Sequence, residues 1–103
     1  MYASITTYHL KPGKRAEAVA FGQSADWANL IAQLKRSYGL KQNYHLLEVG
    51  ADKGVAISVY ATEAEVMAAG DAPPVKATFA KLADVMDLGS ITRRVYEVIS
   101  EDS

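Results

Sequence analysis

Three observations on this sequence predict an α+β fold. Segments of strand composition occur four times, at 2–10, 41–49, 55–60 and 90–99. Between them lie segments whose apolar residues recur every three to four positions, the spacing of one helix face. The resulting order is β-α-β-β-α-β, the split βαβ or ferredoxin-like pattern.

Each element has its own signals. Residues 2–10 are rich in Tyr, Thr and Ile and stop at Lys11-Pro12-Gly13, a strong turn. Over 14–38 the period changes: Val19, Gln23, Trp27, Leu30, Ile31, Leu34 and Tyr38 form one helical stripe. Gly22 weakens that helix and Ser24 is a suitable cap, so one bent helix and two helices both fit. Gly39 is placed to end it. Strands at 41–49 and 55–60 flank the turn Gly50-Ala-Asp-Lys-Gly54, which makes them an antiparallel hairpin. Thr62 with Glu65 three residues on is a capping box, opening a short helix to about Ala69. Gly70 to Pro74 break it. Val75, Phe79, Leu82, Ala83 and Met86 then share a helix face that Gly89 should end. The last strand is 90–99, and the polar tail follows.

Composition narrows the function. The chain has 103 residues, half of them hydrophobic, which suits one domain spanning 1–103. Lys and Arg number 11 against 12 Asp and Glu, a net charge of −1. That balance gives no electrostatic reason to expect a nucleic acid or an anionic membrane as partner. There is no cysteine, so disulfides and thiolate chemistry are excluded. Two histidines cannot make a three-histidine metal site. No metal or other cofactor is expected. No run approaches a membrane span, and the N-terminus lacks the ordered regions of a secretion signal. The expectation is a cytoplasmic protein. Walker, GxGxxG, HExxH and GxSxG motifs are all absent.

The strands carry apolar residues on both faces. Val55, Ile57 and Val59 lie on one side of the third strand, with Tyr60 on the other. One helix layer covers one face only, so the other needs a second layer. A second copy of the same sheet, packed face to face in a homodimer, supplies it.

The sequence resembles the antibiotic-biosynthesis-monooxygenase-like domains of the dimeric α/β-barrel superfamily. The matching segments are Leu10-Lys-Pro-Gly-Lys14, Tyr38-Gly-Leu-Lys-Gln-Asn-Tyr44 and Ala56-Ile-Ser-Val-Tyr-Ala-Thr-Glu-Ala-Glu65. The resemblance spans residues 3–99. It implies a homodimeric barrel with a small-molecule pocket between each sheet and its helices. It also implies cofactor-independent oxygenation of a small aromatic or quinol-type substrate. A non-catalytic dimeric ligand-binding module is the alternative. Heme-degrading members carry an Asn on the first strand, a Trp ending the third and a His on the later helices. Here those places hold Thr6 and Tyr60, and 63–87 contains no His.

The pocket candidates are Thr6, Tyr8, Trp27 and Tyr60. Tyr60 either acts on a substrate hydroxyl or packs with its own hydroxyl at the rim. Trp27 suits both the core and a pocket wall. Ser4, Thr6 and Tyr8 share a strand face. They either make a partly polar cavity or let helices approach closely. His9 and His45 are candidate bases near neutral pH, weighed against structural roles. Arg93 and Arg94 fall on opposite faces, and Arg94 is a further candidate for anion binding or an edge ion pair.

Overall fold

Tyr2–Leu10 forms β1, and Lys11-Pro12-Gly13 turns the chain away, Gly13 at φ +77°. The computed structural model describes residues 1–102. The next stretch is two helices: α1 (Arg15–Gly22) and α2 (Ala25–Tyr38). Ser24 makes the break. Its Oγ accepts from the Trp27 N–H at 3.3 Å and donates to the Phe21 carbonyl at 2.6 Å, capping one helix while holding the end of the other. Gly39 ends α2 at φ +79°, the left-handed conformation glycine tolerates.

The hairpin strands are β2 (Leu40–Leu47) and β3 (Lys53–Tyr60). The turn is wider at the start and earlier at its end than the sequence pattern suggests. The Glu48 N–H donates to the Lys53 carbonyl at 2.9 Å and closes the hairpin there. Val49 is consequently turn, and 94% exposed. In α3 (Glu63–Gly70) the capping box is complete: Thr62 Oγ accepts from the Glu65 N–H while the Glu65 carboxylate accepts from the Thr62 N–H.

The last helix is shorter than its apolar spacing predicts. Pro73 and Pro74 start α4 at its first turn, and it ends at Ala80. Residues 81–85 are turns, and β4 already begins at Met86 and runs to Glu97. The Met86 N–H donates to the Leu82 carbonyl at 2.9 Å, so Leu82 and Met86 do share a face over one isolated turn. Met86, however, pairs with Leu10 as a strand residue, not as part of a helix. Exposed Gly89 therefore sits within β4.

All strands pair antiparallel in the order β2-β3-β1-β4. The helices cover one face. Beneath them lie two hydrophobic clusters. One gathers Leu30, Leu34, Leu40, Tyr60, Val66 and Ala69; the other gathers Tyr8, Leu10, Ala18, Leu82 and Met86. The β1–β4 ladder shifts register between Thr7 and His9, where β4 takes extra residues. The His9 N–H donates to Ser90 Oγ at 2.8 Å across that irregularity, and Ser90 Oγ donates to the Asp87 carbonyl at 2.6 Å. Among the described residues no helix is long and apolar enough to cross a membrane.

Candidate functional site

The cavity originates in side-chain size along two paired strands. On the covered face β1 reads Tyr2, Ser4, Thr6, Tyr8. Opposite them β3 presents Tyr60, Ser58, Ala56 and Gly54, in register. Large residues at the ends belong to the two clusters. Small ones in the middle fill no space up to the helices. The result is a cavity of about 410 Å3, in the size range of small-ligand sites. Trp27, Leu30, Ile31 and Leu34 of α2 and Val75 and Phe79 of α4 roof it. Leu88 and Ile91, from the irregular stretch of β4, wall one side.

The polar groups reaching this apolar space are few. Ser4 and Thr6 are buried in the floor. Asn43 Nδ2 donates to Ser58 Oγ at 2.9 Å, and both residues line the cavity. Tyr60 stands at one end. Lys76 and Arg93 are its cationic members. No His, Asp or Glu is in the lining, and among the described residues no cluster of three or more metal-ligating side chains occurs.

The candidates from sequence separate. Thr6, Trp27 and Tyr60 line the cavity; Tyr8 does not. The Tyr8 ring lies flat across Gly54, where any Cβ would overlap it, and its hydroxyl bonds His45 Nε2 on the second strand over. That reach takes Tyr8 into the far cluster. His45 shares the covered face but belongs to a smaller cleft with Arg15 and Gln23, behind Trp27. Its ring lies 4.8 Å from the Trp27 ring, inclined by 35°. His9 is exposed on the outer face. Arg94 also faces outward, paired opposite Ile5, whereas Arg93 is opposite Thr6 and enters the site. Asn43, which no sequence signal singles out, is in the lining, and of the arginine pair it is Arg93 and not Arg94 that reaches the cavity. Counting β4 back from the Thr6 pairing would have found Arg93, but that register is set by the irregularity near Ser90.

Burial controls the protonation of these groups. It pushes the Tyr8 phenol up to about 12 and His45 below its ordinary value, so the pair is uncharged at neutral pH. Tyr60 is raised mainly by burial; Arg93 opposes that rise and Glu65 adds to it. The Tyr60 phenol is therefore protonated at neutral pH, a donor rather than a base.

No protein-family model matches the sequence, and no curated protein matches it significantly. Solved structures do. Rv0793 from Mycobacterium tuberculosis is 14% identical, with 99% of this chain and 98% of that one covered at a TM-score of 0.71. A candidate antibiotic biosynthesis monooxygenase from Nitrosomonas europaea is 20% identical, covering 97% and 100% at 0.72. SnoaB, a cofactor-independent oxygenase from Streptomyces nogalater, is 17% identical, covering 97% and 94% at 0.70. Together with the antiparallel sheet and its single helix layer, these matches show that the chain has the ferredoxin-like fold of antibiotic-biosynthesis-monooxygenase-type domains.

Proposed function

We propose that the protein is a cofactor-independent monooxygenase acting on a small aromatic or quinol-type substrate held between sheet and helices. The observation that carries this reading is the cavity itself: an apolar slot beside Trp27 with a protonated phenol at one end and a fixed amide–hydroxyl pair in its wall. The likeness in fold to a cofactor-independent oxygenase supports it. In this reaction the substrate loses a proton and its anion passes one electron to dioxygen. The resulting substrate radical and superoxide join as a peroxide. The peroxide anion takes back the proton released in the first step, and loss of the remaining C–H proton and of hydroxide from the hydroperoxide leaves a new carbonyl and one water. The protein's part is to favour the anion. Tyr60 donates to the developing oxyanion, Asn43 and Ser58 orient a second oxygen, and Trp27 holds the ring plane.

Oxygen uptake with anthrone, corrected for autoxidation, tests this. Wild type is expected to accelerate uptake. Tyr60→Phe should slow it by about 10- to 100-fold, the lower part of what one lost oxyanion donor costs. Anthrone binding without accelerated uptake would instead favour a non-catalytic binding module. One observation supports that second reading: no imidazole or carboxylate lines the cavity to take the substrate's proton.

The proposed enzyme is a homodimer. Ile5, Val55, Ile57 and Val59 on the outer sheet face are only partly buried, and Tyr44 and Leu46 beside them are 52% and 47% exposed. A second copy of the sheet is the proposed cover.

A further inference from the structure

We propose that Trp27, His45 and Tyr8 form a relay that carries oxidising equivalents out of the cavity, Tyr8 giving up an electron as His45 takes its proton. The protective purpose rests on the oxygenase reading above; the relay itself rests on how three rings from three elements meet. Trp27 of α2 lines the cavity, and its ring lies 4.8 Å from that of His45 on β2. The His45 ring lies 5.8 Å from the Tyr8 ring of β1, and its Nε2 bonds the Tyr8 hydroxyl. The rings are therefore contiguous from the cavity wall to a phenol that is 2% exposed.

The chemistry depends on which partner donates. The bond to His45 is the only one the Tyr8 hydroxyl makes among the described residues. With the ring proton on Nε2, the buried phenol hydrogen would have no acceptor, a costly arrangement. The phenol therefore donates, Nε2 accepts, and Nδ1 carries the ring N–H. Nδ1 faces Gly22, 3.4 Å from where a Cβ would stand, in a cleft of about 260 Å3 that exposed Arg15 and Gln23 also line. An imidazolium formed here thus has its second N–H on the side of an open cleft. Burial keeps His45 neutral and Tyr8 protonated at neutral pH, so acceptor and donor start in the states the transfer needs. An oxidised phenol is a strong acid, so a tyrosine with a base on its hydroxyl gives up an electron more easily than one without. Tyr60 also reaches the cavity, but no His, Asp or Glu shares the lining with it.

A substrate radical that escapes superoxide adds dioxygen and becomes a peroxyl radical. It takes one electron from Trp27, giving a peroxide anion and an indole radical cation. Tyr8 then refills Trp27: one electron passes to the indole, the phenol proton passes to His45 Nε2, and a neutral phenoxyl radical remains beside an imidazolium. One electron from a small reductant of the thiol or ascorbate class, with the proton held on His45, restores the phenol.

Pulse radiolysis with the azide radical tests the relay without any substrate. This oxidant prefers indole to a neutral phenol, and Trp27 is the one tryptophan of the chain. In wild type the green absorption of the indole radical should decay at a rate independent of protein concentration while the violet band of a phenoxyl radical rises. Tyr8→Phe keeps the ring over Gly54 and should lose that phase. His45→Gln keeps an acceptor for the hydroxyl but no base, and should slow the transfer by about 100-fold, the lower end of what a positioned proton acceptor contributes. No phenoxyl band in wild type, or an unchanged transfer rate in either variant with native circular dichroism, would overturn the relay. With anthrone, Tyr8→Phe should start at the wild-type rate and inactivate in fewer turnovers, with oxygen added to the peptide that carries Trp27. Equal operational lifetimes would overturn the protective role. Absence of turnover in wild type would overturn the oxygenase reading and that role together, while radiolysis still decides the relay.

Discussion

His45 lies outside the main cavity, and its place in the fold bears on stability. It lies on the covered face, its Nε2 bonded to the Tyr8 hydroxyl and its ring against Trp27. Burial lowers its affinity for a proton, while an unfolded chain leaves it near pH 6.5. The unfolded state therefore binds more protons in the window just below that value, and stability rises with pH through it. The contribution is complete above about pH 6.5 and is lost as the pH falls, with a slope bounded at about 1.4 kcal/mol per pH unit for a single group. Urea denaturation at pH 7.5 and 5.5 should show this loss. His45→Gln should flatten the dependence while lowering stability at pH 7.5, because the Tyr8 hydroxyl loses a fitted partner. An unchanged pH slope in that variant would remove His45 from the account. The same pair has a second limb at high pH. Tyr8, at about 12 in the fold against about 10 unfolded, opposes folding once the unfolded phenol begins to ionise.

At the scale of elements, local signals were legible and non-local ones were not. The capping box at Thr62–Glu65 and the αL glycine at 39 are short-range chemistry, and both stand where their residue types suggest. The box has work beyond its own helix, because α3 carries the Val66 carbonyl and Gly70 that seat Arg93. Thr62→Ala should cost about 1 kcal/mol in a urea titration, the usual effect of a lost N-cap. The end of α4 was illegible. Leu82 and Met86 have helical spacing, yet four residues also separate the ends of one closed turn leading into a strand. Local periodicity cannot see that Leu10 at the sheet's end requires Met86 as its partner. The site divides in the same way. Alternation along β1 placed Ser4, Thr6 and Tyr8 on one face. What removed Tyr8 from the cavity was Gly54 on a neighbouring strand, which lets the ring lie down and reach His45. Arg93 was separable from Arg94 only through the β1–β4 register, a pairing between residues some 85 positions apart in sequence, as the Thr7–Thr92 hydroxyl contact illustrates.

For the whole molecule, the two faces of one sheet present unequal demands. The covered face has its helices and both hydrophobic clusters. The other has β-branched residues at its centre, with Ile57 flanked in register by Ile5 and Tyr44, and no layer of this chain above them. Tyr96, paired beside Ala3, extends the apolar surface to 48% exposure at its own position. Apolar area of this kind is stabilised by removal from water at about 25 cal/mol per Å2, and a sheet packing on its own copy removes it on both partners at once. Native mass spectrometry and analytical ultracentrifugation should therefore find a dimer at micromolar concentration. Ile57→Asp places a carboxylate at the middle of that face, where desolvating it unpaired costs several kcal/mol. The variant is expected to be monomeric while its far-ultraviolet circular dichroism and its anthrone binding persist, since Ile57 lies opposite the cavity side of the sheet. A wild-type monomer would leave the outer face without the proposed cover. A dimer that withstands Ile57→Asp would move the interface elsewhere, to the helix side, where it would compete with access to the cavity.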